Sequence, residues 1–270
     1  MVDNKSNSEK IKINLSVKFF TLTEYIYFLD SDDYIRFDAL NEVYKISKEK
    51  NLDMVLFKLW VYMESTNEFV TSNFWEANHL KSIVDNKVFN YDDLGYHVND
   101  LFACTMQSTF FRAELIKDIR FMEGFIWEDD PFFLEAFFKS KRIYFLDKHL
   151  GVKRERINSI THNYFDKFSD CIPTLNKQLE IYKKYGYYDN QFRLELYRKK
   201  FHAIKLRFSQ IPLEFKEDFF VIFKKDCIAK KEEYEQDDIF KELNTEFREV
   251  FYGGLNSKDF IEFEEVLENK

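Results

Sequence analysis

The sequence predicts an α/β fold that is followed by a helical region. Through residues 25–146, short apolar segments typical of buried strands alternate with segments whose apolar residues recur at helical spacing. From about residue 163 the pattern changes to long helical segments with few Gly or Pro residues. We therefore divide the chain into an α/β domain at residues 1–162 and a helical domain at residues 163–270.

The first elements follow one another closely. Residues 25–29 (YIYFL) are apolar and predict a buried strand, while residues 34–48 carry apolar side chains at helical spacing and predict a helix. Residues 53–62 (DMVLFKLWVY) are rich in residues that favour strands, so they predict a second strand. Residues 64–104 are irregular, with clusters of Asn, Asp and Ser, and predict an insertion or a short hairpin.

Two helices and a strand complete the first domain. Residues 109–118 and 131–140 predict helices, and residues 142–146 predict a strand between them and the helical region. This alternation of helix and strand is typical of α/β proteins.

Three carboxylates follow the first strand within four positions: Asp30, Asp32 and Asp33. Ligands bind at the carboxyl ends of strands in open α/β sheets, and closely spaced carboxylates suit a divalent cation that holds a diphosphate. The alternative is that these residues only end the strand and cap the next helix. The residues by themselves leave both interpretations open.

A second acidic group, Glu128, Asp129 and Asp130, stands directly before Pro131. Asp followed by Pro at the first helical position is typical of a helix start. Neighbouring acids can also raise the pKa of one of them toward the working range of a general base. Both interpretations hold together if one acid caps the helix while another faces a cleft.

These motifs resemble those of family 2 glycosyltransferases of the GT-A type. Asp30-Ser31-Asp32 resembles the Asp-x-Asp motif of that family. Residues 109–161 resemble its later half in order and spacing, with a basic stretch, an acidic loop, a helix, a strand and the tail RERINSIT at residues 154–161. The resemblance covers roughly residues 24–162. It implies a partial GT-A (Rossmann-like) sheet with flanking helices.

The family resemblance implies a donor side. It predicts transfer of a sugar from a nucleoside-diphosphate donor, dependent on Mn²⁺ or Mg²⁺ held by Asp32 and Asp30. Asp33 would support the metal or bind the donor sugar. Arg156 and Ser159 in the basic tail would lie near the diphosphate, where a guanidinium can bind phosphate with two hydrogen bonds. Arg154 is a less favoured substitute, and an exposed basic loop is the alternative interpretation.

The resemblance also implies an acceptor side. Asp129 would be the general base and Glu128 its neighbour, in a single-displacement, inverting transfer to a glycan or lipid-linked acceptor. Trp127 either stacks on an acceptor sugar or belongs to the core, and core is the more common place for Trp in an apolar segment. The family suggests a role in bacterial surface polysaccharide or lipooligosaccharide synthesis.

One part of the family pattern is missing from this sequence. In the family, a strand-helix-strand unit that grips the nucleotide precedes the Asp-x-Asp strand. Here 29 residues precede Asp30, too few for a unit of roughly 30 or more residues and the next helix. Asp3 in residues 1–7 resembles a nucleotide-contacting turn of the family only weakly. We therefore expect a domain that lacks most of the nucleotide-binding half.

Composition excludes some classes of function. The net charge of −8 and a pI near 5.3 argue against nucleic acid as the main partner. Cys104, Cys171 and Cys227 are too widely spaced for a disulfide framework or a zinc site, which fits a reducing cytoplasm. With neither a signal-peptide pattern nor a long apolar run, we expect a cytoplasmic protein without a membrane span.

The helical region is divided in charge. Lys and Arg outnumber Asp and Glu in residues 174–207, and the reverse holds in residues 214–250. The basic, aromatic residues 183–208 fit peripheral contact with an anionic inner membrane, or an ordinary solvated helix face, which is the favoured interpretation.

A second hypothesis follows from the missing half. The chain would then be an inactive remnant of a glycosyltransferase that binds a partner, either a second copy or another transferase chain, through the open edge of its sheet.

Overall fold

A computed structural model describes residues 23–95, 105–156 and 165–268 of the chain. A sheet with helices packed on it comes first, and a region built of helices follows. The predicted fold class, α/β with a helical C-terminal region, is confirmed. The domain boundary at residues 162 and 163 stays a prediction.

The strands of the described residues form a single seven-stranded sheet. They are β1 (Tyr25–Tyr27), β2 (Tyr34–Ile35), β3 (Met54–Met63), β4 (Glu68–Val70), β5 (Val88–Phe89), β6 (Thr109–Arg112) and β7 (Ile143–Glu155). Their order is β1-β6-β3-β7-β2, with β4 paired to β3 and β5 paired to β7. The two long central strands β3 and β7 are parallel, whereas the other pairs are antiparallel.

The helices fall into two groups. Those of the sheet region are α1 (Ala39–Glu49), α2 (Asn73–Glu76), α3 (Asn78–Val84), α4 (Tyr91–Leu94), α5 (Ala113–Ile116) and α6 (Asp129–Lys139). Those of the helical region are α7 (Cys171–Lys184), α8 (Asn190–Gln210), α9 (Leu213–Gln236), α10 (Asp238–Glu242), α11 (Thr245–Asn256) and α12 (Phe260–Glu268). Single 3₁₀ segments occupy Met106–Ser108 and Phe165–Asp170.

Both faces of the sheet are covered, because alternate residues of β3 point to opposite sides. Met54 and Leu56 belong to a buried cluster with Phe137 of α6. Val55 belongs to a second cluster with Val43 of α1 on the opposite face. The first cluster also takes in side chains of α7 and α8, so the start of the helical region packs into the core of the sheet.

The helical region has its own aromatic core. Phe201, Tyr234, Phe240 and Phe251 are buried there with ring centroids 5.1–6.1 Å apart. Gly254 lies against this core, since an added Cβ would overlap the ring of Phe223. Many of the aromatic residues in the composition therefore serve packing.

The charge division of the helical region is used in ion pairs between its helices. Lys183 pairs with Glu233 at 2.6 Å, and Lys205 of α8 pairs with Glu246 of α11 at 2.7 Å. Lys200 is buried and its Nζ lies 2.6 Å from an Asp226 oxygen of α9. Much of the basic stretch thus faces the acidic one, which favours the ordinary interpretation over membrane contact.

Two predicted helices needed correction. Residues 34–48 begin as a strand, because Tyr34–Ile35 pair with β7 and the Arg36 N–H donates to the Leu150 carbonyl, so helix α1 starts only at Ala39. Residues 109–112 of the predicted helix 109–118 are strand β6, which lies between β1 and β3, and α5 is a single turn. In both places pairing within the sheet overrides the local helical pattern.

The other predicted elements are present with shifted bounds. The strand at residues 25–29 ends at Tyr27, and the helix at residues 131–140 begins at Asp129. The strand at residues 142–146 extends to Glu155 because it follows β3 along its whole length. The prediction of an irregular segment at residues 64–104 is wrong for its described part, which carries β4, α2, α3, β5 and α4. Its β4 forms a hairpin with β3, which lies before residue 64, while residues 96–104 lie outside the described residues.

Two further findings concern the described ranges. No helix in them is long and apolar enough to cross a membrane. Cys171 and Cys227 are buried and free, and Cys104 lies outside the described residues.

Candidate functional site

The three carboxylates after β1 lie on a tight turn. The Asp33 N–H donates to the Asp30 carbonyl at 3.1 Å, which closes the turn and leads the chain into β2. Because β2 pairs with Gly151 and Val152 of β7, the turn is held beside the C-terminal end of that strand. This pairing brings basic residues of β7 to the acidic turn.

Asp33 anchors the turn to β7. Its side chain is 3% exposed, and its oxygens accept hydrogen bonds from the Arg154 backbone N–H at 2.9 Å and from Lys153 Nζ at 3.2 Å. Burial raises the pKa of Asp33, and these two donors partly oppose the rise. Both Asp33 oxygens already accept hydrogen bonds within the protein. Binding of the donor sugar by Asp33 therefore stays a prediction, with little support from the surroundings of this residue.

Lys153 links Asp33 to Asp30. Its Nζ lies 3.2 Å from an Asp30 oxygen, and the same oxygen accepts a hydrogen bond from Gln107 at 3.1 Å. Burial acts to lower the pKa of Lys153, but the carboxylates of Asp33 and Asp30 raise it overall, so the ammonium stays charged. Asp30 itself is exposed and can reach a ligand.

Asp32 forms an ion pair with the guanidinium of Arg156. The two side chains are 26% and 41% exposed, so a ligand can compete for either partner. Arg154 instead pairs with Glu64 at 2.5 Å, on a separate part of the surface. The structure therefore brings Arg156 to the acidic turn, whereas Ser159 lies outside the described residues.

The second acidic group lies at the start of α6. Glu128 occupies the N-cap position, but its side chain makes no capping hydrogen bond to the helix. Asp129 and Asp130 are in the first turn, where the helix dipole favours negative charge. The alternative that these acids serve as side-chain caps gains no support at Glu128.

The acid loop, residues 126–130, contains carboxyl groups whose pKa values are raised. Burial raises the pKa of Asp129 to about 7, with further contributions from Asp130, Glu128 and Asp30. Burial also raises the pKa of Glu128, again helped by Asp30. Burial also raises the pKa of Asp130, but the charges of Lys199 and Arg207 oppose that rise, so we assign the retained proton of the Asp129–Asp130 pair to Asp129. The charge of Asp30 contributes to the raised pKa of both Glu128 and Asp129, so the two acidic groups lie near enough for their charges to interact.

Trp127 packs against the helical region. Its ring packs against Phe168 with centroids 5.6 Å apart, and the Arg207 guanidinium lies 4.8 Å from its centroid. It joins the core of the helical region, so the interpretation of Trp127 as a packing residue is the one that the structure supports.

The residues of the turn suit a hard divalent cation. Within the described ranges, no group of three or more His, Cys, Asp and Glu side chains could by itself hold a metal ion. Asp30 and Asp32 nevertheless offer carboxylate oxygens at an accessible edge, and Mg²⁺ is commonly held by one or two carboxylates together with substrate phosphates. The oxygen chemistry fits Mn²⁺ or Mg²⁺, and metal binding stays a prediction.

Sequence reasoning missed Lys153 and Gln107. Lys153 stands one residue before the basic tail, and its meeting with Asp33 depends on residues 120 positions apart in the chain. Gln107 lies in the short segment before β6 and carries no sequence signal that distinguishes it. Only the pairing of β2 with β7 and of β1 with β6 reveals both contacts.

The sequence is similar to those of two curated proteins, and no family model matches it. It is 22% identical over 162 residues to "Glycosyltransferase GlyG" of Streptococcus pneumoniae serotype 4, covering 55% of this chain. It is 23% identical over 167 residues to "Glycosyltransferase GlyA" of the same organism, covering 60% of this chain. These matches span 54% of the length of GlyG and 24% of the length of GlyA.

Among solved structures, S. aureus TarS 1–349 in complex with UDP-GlcNAc matches with a TM-score of 0.58 and 17% identity. The alignment covers 92% of this chain and 68% of that chain. The two proteins share a fold. The complex of TarS 1–349 with UDP gives a TM-score of 0.55 at 19% identity. The chain thus has the α/β fold of TarS and resembles glycosyltransferases in sequence.

Proposed function

We propose that this protein is a glycosyltransferase that uses a nucleoside-diphosphate sugar. The observation that carries the proposal is the cluster of Asp30 with Lys153 and of Asp32 with Arg156 at the edge of the sheet, together with the action of Asp30 on the pKa of Asp129. The names of GlyG and GlyA support the reaction class. The presence of UDP-GlcNAc in the TarS structure supports a UDP-sugar as the donor.

Asp30, Asp32 and Arg156 form the donor side. Asp32 and Asp30 would hold Mn²⁺ or Mg²⁺, which would stabilise the negative charge on the departing diphosphate. Arg156 is paired with Asp32 and partly exposed, so its guanidinium can instead donate two hydrogen bonds to a phosphate. Lys153 keeps a positive charge beside Asp30 and adds to the field that attracts the diphosphate.

Asp129 forms the acceptor side. A base must accept the proton of the acceptor hydroxyl as that oxygen bonds to the anomeric carbon and the bond to the diphosphate oxygen breaks. With a pKa of about 7, Asp129 is largely ionised at slightly alkaline pH and still basic enough to take the proton. The nucleoside diphosphate leaves with the bonding electrons, and the anomeric configuration is inverted.

The acceptor belongs to the same proposal. By the resemblance to family 2, it is a glycan or a lipid-linked sugar in bacterial surface polysaccharide or lipooligosaccharide synthesis. Cytoplasmic location and peripheral contact with the inner membrane remain predictions. Ion pairs take up several basic side chains of the helical region that would serve such contact.

The test is release of UDP from a panel of UDP-sugars by the purified chain, with Mn²⁺ and with a chelator. We expect slow metal-dependent hydrolysis without acceptor and faster release when an acceptor glycan is present. If neither UDP release nor UDP binding occurs with any donor, the proposal is wrong.

A second candidate function, an inactive remnant that binds a partner, is favoured by one surface. At α1, Leu40 and Tyr44 are 45% and 41% exposed, and Phe37, which directly precedes the N-cap of the helix, is fully exposed. Tyr44 also touches Tyr25 of β1, a strand that pairs with β6 alone among the described residues. Self-association that is lost in Phe37→Ser/Leu40→Ser, with no UDP binding, would support this candidate over transfer.

A further inference from the structure

The acid loop contains a residue in an unusual backbone conformation. Trp127, directly before Glu128 and Asp129, has φ 59°, in the left-handed region. Bulky residues rarely adopt this conformation, because the side chain crowds the backbone. Such a residue persists only when its surroundings hold it there, and it occurs most often at functional sites.

The helical region supplies what holds Trp127. The guanidinium of Arg207, on α8, lies 4.8 Å from the centroid of the Trp127 ring and 5.4 Å from that of Phe168. The two rings pack against each other, so Arg207 lies over both. One residue earlier, the Ile126 N–H donates to Asp170, at the start of α7, at 3.0 Å. Two successive residues of the loop, Ile126 and Trp127, are thus attached to the helical region.

The turn at Trp127 decides where the next two side chains go. After it, α6 begins at Asp129, and the Asp130 N–H donates to the Trp127 carbonyl. In this arrangement the ring centroid of Phe132 on α6 lies 5.8 Å from that of Phe28, two residues before Asp30, and the charge of Asp30 acts on both Glu128 and Asp129. If Trp127 returned to an ordinary conformation, the chain direction would change at this point and the carboxyl groups would move away from the turn after β1.

We propose that Arg207 is a positioning residue that holds Trp127 in its left-handed conformation and thereby aims Glu128 and Asp129 at Asp30. The inference rests on the proposed function, since it assigns the helical region a role in assembling the acceptor side of that site. The cation over the indole face contributes an attraction that an apolar side chain of similar length lacks.

The test compares Arg207→Met with Arg207→Lys and with Arg198→Met. Methionine keeps the apolar stem without the charge, lysine restores a cation, and Arg198 lies on the same helix, paired with Glu195. We expect kcat of Arg207→Met to fall on the order of 10²-fold, because small displacements of reacting groups have effects of that size. The donor KM should change less than about twofold, because the donor-side residues are untouched. Arg207→Lys should recover part of the rate, and Arg198→Met should match the unmodified protein.

A second measurement is independent of turnover. The chain contains three tryptophans, so replacing Trp60 and Trp75 by Phe leaves Trp127 as the single one. Quenching of its fluorescence by acrylamide should rise severalfold in Arg207→Met and stay low in Arg207→Lys. If no transfer occurs in any variant but quenching follows this pattern, the proposed function fails while the positioning role stands. Unchanged quenching and an unchanged kcat in Arg207→Met would overturn the positioning role.

Discussion

The two acidic groups of the site contain the same residue types in opposite electrostatic surroundings. Around the turn after β1, each carboxylate has a cationic partner: Lys153 serves Asp30 and Asp33, and Arg156 serves Asp32. In the acid loop, Asp129 is flanked by Glu128 and Asp130, and the charged groups that act on it are other carboxylates. The first group is therefore surrounded by cations, whereas the carboxyl of Asp129 is surrounded by like charges that help it to hold a proton.

This difference indicates how one site can divide its chemistry. Carboxylates beside cations can exchange those cations for a metal ion, and the released cations can bind a diphosphate. A buried carboxyl among like charges takes up a proton near neutral pH and suits a general base. Lys153 of β7 and Arg156 directly after it supply the cations beside the first group, whereas the cations near the second group, Lys199 and Arg207 of α8, act on Asp130.

The largest expected effect follows from removing the base. Asp129→Asn keeps the shape of the side chain but cannot accept a proton, so kcat should fall about 10²- to 10⁴-fold. Donor KM should stay within about twofold, because the donor side is unchanged. The exposed Asp118→Asn is the matched control and should keep full activity. A retained rate in Asp129→Asn would assign the base elsewhere.

Affinity for the nucleotide of the donor should depend on Arg156 and not on Arg154. Hydrogen bonds to charged groups are worth about 1.5–3 kcal/mol, so Arg156→Met should weaken UDP binding roughly 10- to 100-fold. Arg154→Met removes the pair with Glu64 and should change the UDP dissociation constant less than about threefold. Calorimetric titration of both variants checks this contrast. Equal losses in both would mean that the basic tail acts only through its net charge.

The protein should lose stability when Lys153, the cationic partner of the buried Asp33, is removed. Lys153→Met leaves Asp33 buried without its cation, and we expect a loss of about 2 kcal/mol in the free energy of unfolding, below the value for fully buried pairs because Lys153 is partly exposed. Urea unfolding measures the loss. Lys153→Met/Asp33→Asn should recover more than half of it, and additive effects would show that the two residues are not coupled.

The smallest expected effect is a pH-dependent stability difference at Asp129. Its pKa is about 7 when folded, above the ordinary value for Asp, so the folded state binds the proton more tightly than the unfolded state does. The resulting stabilisation is complete below the ordinary Asp pKa and is lost as the pH rises through about 7. Since Asn mimics the protonated acid, the melting temperature of Asp129→Asn should match that of the unmodified protein near pH 4. At pH 8 the melting temperature of Asp129→Asn should be a few degrees higher than that of the unmodified protein. A constant difference across this range would contradict the raised pKa.

Much of the fold could be predicted from local patterns. Residues 53–62 form an almost unbroken apolar run that is rich in strand-favouring residues and specifies β3, and the two Asp residues before Pro131 mark the start of α6. The errors arose where distant pairing decides the structure. Residues 109–112 have a local helical pattern but are drawn into the sheet between β1 and β3.

The candidate site divides in the same way. The acids were visible because Asp clusters after a strand and before a helix are local signals. The cations that separate their roles were visible only in part: Arg156 stands in a recognisable tail, whereas Lys153 is one Lys in a long strand. The left-handed conformation of Trp127 has no sequence signal, because Gly or Asn would be expected there.

The most direct test of the divided site is calorimetric binding of UDP to three forms of the protein with and without Mn²⁺: the unmodified chain, Asp32→Ala and Asp129→Asn. We expect Mn²⁺-dependent binding by the unmodified chain, loss of it in Asp32→Ala, and binding by Asp129→Asn within about twofold of the unmodified value. Equal weakening in Asp32→Ala and Asp129→Asn, or UDP binding that ignores both Mn²⁺ and Asp32, would contradict the division of the site into a donor side and a proton-accepting side.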